Sequence, residues 1–135
     1  MRLLLDLNVL IDVACRWQDF PASLTLYNRI VASPYHDGAL AACGYTLLYD
    51  VIHQLIGTER ARAVVAHFRE TLILLPFTAA TAQVAHLLQM PDLEDACTAA
   101  TAFEGRCNVI ATRHTDTFIT SPIPAHTPED LVDSL

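Results

Sequence analysis

Lysine is missing from this chain of 135 residues, and all eight basic side chains are arginine. The absence excludes any mechanism built on a lysine, including the nucleotide-binding loop in which a lysine contacts the phosphates. Acidic residues outnumber basic ones by 15 to 8, which gives a formal net charge of −7. Because non-specific nucleic-acid binding depends on basic side chains, this balance disfavours a general nucleic-acid binder.

Long apolar runs are also missing. No apolar stretch approaches the roughly 18 to 20 residues that cross a bilayer, so we expect no contact with a membrane. The start, MRLLLD, has no basic region followed by a long apolar one, so we expect no signal peptide. The four cysteines are scattered without a CxxC or a Cys/His pairing, a pattern typical of a reducing compartment. We therefore expect a cytosolic protein.

What is abundant is apolar residue content, at 53% against 17% charged, which favours a folded core over disorder. The length fits one domain over residues 1–135, and no repeat or linker interrupts it. Short apolar runs predict strands at 2–5, 38–43, 71–76 and 107–112. Helical patterns occupy residues 7–14, 21–33, 46–57, 58–70, 78–89, 92–105 and 127–135. This alternation predicts an α/β fold with a mostly parallel central sheet and helices on both faces.

Acidic residues follow two of these strands and begin one helix. Asp6 comes directly after the first strand, Asp116 follows the last by a few residues, and Asp92, Glu94 and Asp95 begin the Ala-rich helix. Ligands of an open parallel sheet bind beyond the carboxyl ends of its strands. Carboxylates gathered there repel one another unless cations lie between them, and oxygen ligands suit Mg²⁺ or Mn²⁺. The pattern predicts a metal site that hydrolyses phosphodiesters without a protein nucleophile.

Structural roles compete with this interpretation. Asp92 fits a helix N-cap, and Asp95 fits the third position of a capping box. Glu94 either faces solvent near the positive end of the helix dipole or contacts the metal. Asn8 fits two compatible roles, as a cap of the helix that follows Asp6 and as a residue that fixes the Asp6 carboxylate. Asp6 itself shows no comparable local role, so we interpret it as a metal ligand.

Three stretches of the chain carry a recognisable pattern. The opening LLDLNVLIDV is similar to a hydrophobic strand followed by D-x-N-V-L-I-D. The stretch DLEDACTAATAFEGRCNVIATR resembles an E-D-A helix, a Gly turn, a strand and T-R, and the ending TFITSPIPAHTPEDLV resembles D-F, S-P-I-P and a T-P-E-E-L close. In this order and spacing they resemble the PIN domain family, and within it the small bacterial PIN proteins related to VapC-type toxin ribonucleases.

The resemblance implies a PIN-like fold and a Mg²⁺- or Mn²⁺-dependent nuclease that acts mainly on RNA. It implies that Asp6 is the first metal-binding carboxylate and Asp95 the principal one on the later helix. Asp116 is the third candidate for both catalysis and metal binding. Asn8 would support Asp6, and Thr112 would lie at the end of the last strand.

Two segments depart from the family pattern. Leu47 stands where many PIN domains carry a glutamate. Asp50, one helical turn further on, either reaches the same region as a metal ligand or is an exposed surface acid. Thr117 holds the position of the usual aspartate, with the acid one place earlier at Asp116, and His114 replaces an asparagine.

The leading hypothesis is therefore a Mg²⁺- or Mn²⁺-dependent endoribonuclease, the toxin component of a toxin–antitoxin system or a relative. The alternative is a catalytically degenerate PIN domain that acts as a nucleic-acid- or protein-binding module, which the residues at 47 and 117 favour. Asp-nucleophile phosphotransfer proteins, namely dehalogenase-type phosphatases and response-regulator receivers, also begin with a strand ending in an acid. Both use a lysine, which this chain lacks.

The expected partners are an RNA substrate, an antitoxin protein and a second copy of the chain in a homodimer. The homodimer is expected because the apolar helices leave surplus apolar surface. Arginines would contact the phosphates of the RNA backbone, the candidates being Arg2, Arg60, Arg62, Arg69, Arg106 and Arg113.

Overall fold

The computed structural model describes all 135 residues and contains one five-stranded sheet. The strands are β1 (Arg2–Leu5), β2 (Asp37–Ala41), β3 (Ile73–Leu75), β4 (Val109–Ala111) and β5 (Ala125–His126). They lie in the order β3-β2-β1-β4-β5, and every neighbouring pair is parallel. The predicted α/β fold with a mostly parallel sheet is confirmed. Only the two-residue β5 was not predicted, because it is too short to show a pattern.

Seven α-helices connect and flank these strands. They are α1 (Leu7–Ile11), α2 (Pro21–Ala32), α3 (Tyr45–Ile56), α4 (Thr58–Thr71), α5 (Ala79–Leu87), α6 (Leu93–Glu104) and α7 (Pro128–Ser134). A π-helical turn at Asp12–Arg16 continues α1, and 3₁₀ turns occupy Ala42–Gly44 and Thr115–Phe118. The prediction of one regular helix over 7–14 was therefore wrong in its second half, where the geometry changes at Asp12. None of the helices is long and apolar enough to cross a membrane.

The core has two halves, one on each face of the sheet. Successive residues of a strand point to opposite faces, so Leu3 and Leu5 of β1 join one apolar cluster and Leu4 joins the other. The first cluster includes residues from α1, α2, α3, α4 and α7, whereas the second includes residues from α5 and α6. Helices thus cover both faces of the sheet, as predicted.

Local signals in the sequence explain where two of the helices begin and end. Gly57 has φ +87°, a left-handed conformation that glycine adopts without strain, and it separates α3 from α4. Thr127 caps α7 by accepting the Asp130 N–H at 3.2 Å, with Pro128 in the first turn. The helical patterns predicted at 46–57, 58–70 and 127–135 have boundaries that agree with these two positions.

The direction of chain progression across the sheet reverses at β1. From β1 the chain moves outward to β2 and β3, then returns to the other side of β1 for β4 and β5. Ligands of open α/β sheets bind at such a reversal, beyond the carboxyl ends of the two strands. Asp6 follows β1 and Thr112 follows β4, so a ligand site is expected beside these two residues.

Candidate active site

Asp6 lies at the carboxyl edge of the sheet and is only 9% exposed. Its Oδ1 accepts the backbone N–H of Leu7 at 2.9 Å. Its Oδ2 accepts Nδ2 of Asn8 and the hydroxyl of Thr112, both at 2.9 Å. All three donors are neutral, and no salt bridge reaches Asp6. The carboxylate is therefore held firmly in place without a cation to balance its charge.

Asn8 and Thr112 complete a closed hydrogen-bond network around this carboxylate. Nδ2 of Asn8 also contacts the Thr112 hydroxyl at 3.1 Å, while its Oδ1 accepts the Arg113 N–H at 3.0 Å. The Thr112 hydroxyl accepts the N–H of His114 at 3.1 Å. Of the two roles considered for Asn8, the structure shows the second, because it fixes Asp6 and does not cap α1.

Asp6 has a local role that the sequence analysis missed, since it is the N-cap of α1. Its side chain accepts the Leu7 N–H, and its carbonyl accepts the N–H groups of Val9 and Leu10. The interpretation that Asp6 lacks a structural role was therefore wrong. Capping accounts for one carboxylate oxygen only. The other oxygen is held by the side chains of Asn8 in α1 and of Thr112 after β4, which a helix cap does not require.

The electrostatics of Asp6 oppose a bare negative charge. Burial raises the pKa of its carboxyl, and the nearby carboxylate of Asp95 raises it further, while hydrogen bonds from Thr112, Leu7 and Asn8 act in the opposite direction. The net direction is upward. A positive ion placed between Asp6 and Asp95 would relieve both causes of the rise.

Asp95 occupies the third position of α6, beside its N-cap. As predicted, Asp92 caps the helix by accepting the Asp95 N–H at 3.0 Å. The reciprocal bond from the Asp92 N–H to the Asp95 carboxylate is not formed, so the predicted capping box is only half present. The side chain of Asp95 is therefore not used by the helix end and lines a pocket with Asp6.

The surroundings of Asp95 shift its pKa in the same direction as those of Asp6 do. Burial raises the pKa of Asp95, and the charges of Asp92 and Asp116 add to the rise, while the nearby hydroxyl of Thr117 and the proximity of His114 lower it. Two neighbouring carboxyls with raised pKa values are typical of functional sites.

A pocket of about 540 Å³ joins most of the predicted site residues. Its wall includes Asp6, Asn8, Asp50, Glu94 and Asp95. Leu47, at the position of the family's glutamate, lines the same wall one helical turn before Asp50. As the side chains stand, no three His, Cys, Asp or Glu residues are close enough together to chelate an ion. The acids surround the pocket and do not enclose a small cage.

Asp116 lies at the margin of this arrangement. It is exposed in the 3₁₀ turn Thr115–Phe118 and does not line the pocket, although its charge acts on Asp95. Thr117 donates its hydroxyl to the His114 carbonyl at 2.9 Å, and the same hydroxyl lies near enough to Asp95 to lower its pKa. The structure therefore brings Asp116 close to Asp95 but not into the pocket that contains Asp6.

One pair near the site was not predicted. Asp12 is fully buried, and its Oδ2 accepts Nε of Arg113 at 2.8 Å and the Ser23 hydroxyl at 3.0 Å. The Arg113 guanidinium lies over the ring of Phe20, 3.9 Å from its centroid. Burial raises the pKa of Asp12, opposed by Arg113 and Ser23. The pair anchors the loop that begins at Thr112.

A signal for this pair was present in the sequence. Asp12 closes the D-x-N-V-L-I-D stretch, and Arg113 is the arginine of the T-R pair. The pattern alone does not pair these two residues, because nothing in either stretch indicates which distant residue it contacts.

Comparison with known proteins agrees with the fold described above. A family model described as the PIN domain matches residues 2–116, and no curated protein sequence matches the chain. Among solved structures, VapBC2 from Rickettsia felis, bound to a DNA fragment from its promoter, is 13% identical with a TM-score of 0.76, over 94% of this chain and 98% of that one.

Two further structures share the fold. VapBC-1 from nontypeable Haemophilus influenzae is 14% identical with a TM-score of 0.73, over 96% of this chain and 99% of that one. FitAcB from Neisseria gonorrhoeae is 15% identical with a TM-score of 0.66, over 94% and 98%. At these identities the likeness shows the fold alone, and it confirms the PIN-like fold predicted from the sequence.

Proposed function

This chain belongs to the PIN domain family, and we propose that it is a Mg²⁺- or Mn²⁺-dependent endoribonuclease, the toxin component of a toxin–antitoxin system or a relative. The observation that carries the proposal is the state of Asp6. Its carboxylate is buried, held by three neutral donors, and shares a pocket with Asp95. Such a pair of unbalanced carboxylates at the reversal point of a parallel sheet suits a hard divalent cation.

The donor set fits Mg²⁺ or Mn²⁺. Mg²⁺ commonly binds through one or two carboxylates and retains several waters, so Asp6 and Asp95 are sufficient as direct ligands. Asp50 and Glu94 on the same pocket wall would hold coordinated water or add a ligand. When bound, such an ion supplies Lewis-acid activation of water and neutralises charge at the phosphodiester.

The other predicted site residues have supporting roles in this proposal. Asn8 and Thr112 orient the Asp6 carboxylate through their hydrogen bonds to Oδ2. Asp116 acts on Asp95 through its charge, which would favour cation binding there. We assign Asp116 this electrostatic role because its side chain does not line the pocket.

The first test is calorimetric titration with Mn²⁺ of the wild type, Asp95→Asn and Glu104→Gln. Glu104 is exposed at the far end of α6, so its variant removes one negative charge without touching the pocket. We expect saturable binding in the wild type and in Glu104→Gln, and none in Asp95→Asn. Mn²⁺-dependent cleavage of single-stranded RNA by the wild type, lost in Asp95→Asn, would then establish the activity.

A second candidate function is a non-catalytic PIN domain that binds nucleic acid or protein. It is favoured by Leu47 on the pocket wall and by Thr117 beside Asp95, where the family pattern has acids. The absence of Mn²⁺ binding at millimolar concentration, in a wild type shown to be folded, would select this candidate over the nuclease.

The proposal includes two protein partners. The structural similarity to VapBC2 and VapBC-1 supports an antitoxin partner. Exposed apolar side chains support a homodimer, among them Leu87 at 69%, Leu93 at 70%, Phe103 at 52% and Ile119 at 81%. Light scattering at tens of micromolar should give twice the chain mass, and a monomer mass would refute the dimer.

A further inference from the structure

A second depression, of about 410 Å³, lies between α3 and α4. We call it the α3–α4 groove, and its lining includes Tyr45, Tyr49, Arg62 and Arg69. Thr46 and Asp50 line both this groove and the active-site pocket. The two depressions are therefore adjacent and share this part of their walls, so a ligand long enough to pass these two residues can occupy both.

The groove contains two unpaired positive charges in an acidic protein. Arg62 and Arg69 are exposed, and the two salt bridges of the structure, Arg2–Asp37 and Arg113–Asp12, involve neither of them. They are seven residues apart on α4, which places them two turns and about 10 Å apart on one side of the helix. Both guanidinium groups are available to an anionic ligand along the groove.

The opposite wall of the groove carries aromatic rings. Tyr45 and Tyr49 are four residues apart on α3, so they lie on the same face, and both are half-buried. Their rings pack against the apolar core, and the ring of Tyr49 stacks on His53 at 5.6 Å with an interplanar angle of 12°. This packing holds the rings rigidly at the groove.

We propose that the α3–α4 groove binds the single-stranded RNA whose scissile phosphate enters the active-site pocket. Arg62 and Arg69 contact backbone phosphates, and bases stack on Tyr45 and on the face of Tyr49 that is turned away from His53. Arginines along a groove with aromatic platforms are the combination that binds single strands without sequence preference. The assignment rests on the proposed function, because it takes the shared wall between the groove and the acidic pocket as the path of the substrate.

An acidic segment of a partner protein is the other ligand that two free arginines attract. The aromatic wall favours RNA, because every base has a π-face that stacks on an aromatic ring, whereas a carboxylate does not stack. Asp50, at the junction with the pocket, repels either ligand equally and so does not decide between them. The net charge of −7 disfavours general binding of nucleic acid. The two arginines of the groove nevertheless place positive charge where the RNA strand would lie.

The test is fluorescence anisotropy with a 5′-fluorescein-labelled RNA of twelve nucleotides and mixed sequence. Binding is measured in EDTA and, before cleavage proceeds, in Mn²⁺. We expect Arg62→Gln/Arg69→Gln to raise the dissociation constant about tenfold or more, and to lower the slope of log affinity against log salt by about 1.4. Arg16 and Arg29 are exposed and lie outside the groove. Arg16→Gln/Arg29→Gln, with the same net charge, should remain close to the wild type.

A second variant tests stacking separately from charge. Tyr49→Leu retains apolar contact with the core but removes the ring. We expect about a tenfold loss of RNA affinity, with the salt slope of the wild type retained because no phosphate contact is lost. The thermal midpoint of each variant confirms that it is folded.

The outcomes separate the groove from the nuclease. If the wild type cleaves RNA and the groove variants bind and cleave equally well, the groove assignment is overturned and the proposed function stands. If the variants lose RNA binding while the wild type binds but never cleaves in Mn²⁺, the groove stands and the nuclease fails. Polyglutamate labelled with fluorescein is titrated in the same way as a model of an acidic protein segment. If the groove variants bind RNA like the wild type but no longer bind polyglutamate, the groove recognises acidic protein and the assignment to RNA is overturned.

Discussion

The hydroxyl of Thr112 donates a hydrogen bond of 2.9 Å to the Asp6 carboxylate from a position 106 residues further along the chain. The two residues follow β1 and β4, and parallel pairing of these strands brings them together. Asp6 therefore depends for its orientation on the loop after β4, and that loop is anchored by the ion pair between Arg113 and Asp12.

Thr112→Val removes the hydroxyl at the centre of this network. The change deprives Asp6 of a donor and leaves the His114 N–H without its acceptor. We expect the free energy of unfolding to fall by about 1–3 kcal/mol and Mn²⁺ affinity to fall with it, as measured by urea denaturation and calorimetry. Thr101→Val is the control, because Thr101 is equally buried but donates to the Cys97 carbonyl of its own helix and otherwise has only a 4.0 Å contact with Cys43 Sγ. Equal effects in the two variants would contradict the assigned role.

Asp95→Asn should stabilise the metal-free protein at neutral pH. Folding raises the pKa of Asp95, so its contribution to stability is fully present below the pKa of the unfolded chain and is lost as pH rises through the raised folded pKa. An uncharged side chain avoids that loss. The melting temperature of Asp95→Asn should exceed that of the wild type at pH 7.5, and the difference should vanish at about pH 4.

Differential scanning fluorimetry in EDTA across this range measures the effect. Asp133→Asn, an exposed acid on α7, controls for the change in net charge. A gain that is independent of pH, or equal in the control, would show that the carboxylate environment is not its cause.

Protons and Mn²⁺ should compete for the same carboxylates. Because the pKa values of Asp6 and Asp95 are both raised, the competition begins above the ordinary aspartate value of about 3.9. Below the raised values, the dissociation constant should increase up to about tenfold per pH unit for each proton displaced. Calorimetry in two buffers of different ionisation enthalpy would detect the released protons. A dissociation constant that stays flat down to about pH 4 would refute the site.

Removing one partner of the buried ion pair should be costly. Arg113→Leu leaves Asp12 fully buried without its cation while retaining apolar contact with Phe20. We expect a loss of about 3–5 kcal/mol in the free energy of unfolding. In Asp12→Asn/Arg113→Leu the uncompensated charge is also gone, so part of the loss should be recovered. Urea denaturation of the wild type, Asp12→Asn, Arg113→Leu and the double variant measures the coupling free energy between the two residues. Additive losses would mean that they are not coupled.

Restoring the acids of the family pattern should strengthen cation binding. Leu47 lines the pocket and Thr117 lies beside Asp95, so Leu47→Glu/Thr117→Asp adds two carboxylates to the site. We expect a lower Mn²⁺ dissociation constant than in the wild type by calorimetry. Leu55→Glu adds an acid elsewhere on α3, at a side chain 48% exposed, and should leave Mn²⁺ affinity unchanged. No gain in the double variant would mean that these positions do not face the ion.

Some features of the protein were determined by the sequence alone, because they depend on local physical chemistry. Apolar runs separated by helical periodicity indicated the parallel α/β fold. Gly57 marked the boundary of α3 and α4, and Thr127 with Pro128 marked the start of α7. An acid directly after a buried strand drew attention to Asp6. Each of these signals lies within a few neighbouring residues, where sterics and capping act.

Other features were decided only by the tertiary structure. The pairing of Asp12 with Arg113 joins residues about a hundred positions apart. The position of Asp116 outside the pocket depends on the direction of a side chain in a 3₁₀ turn. The selection of Arg62 and Arg69 from eight arginines depends on how α4 packs against α3. The physical reason is common to all three, because burial and distance between remote segments arise from packing, which local periodicity does not encode.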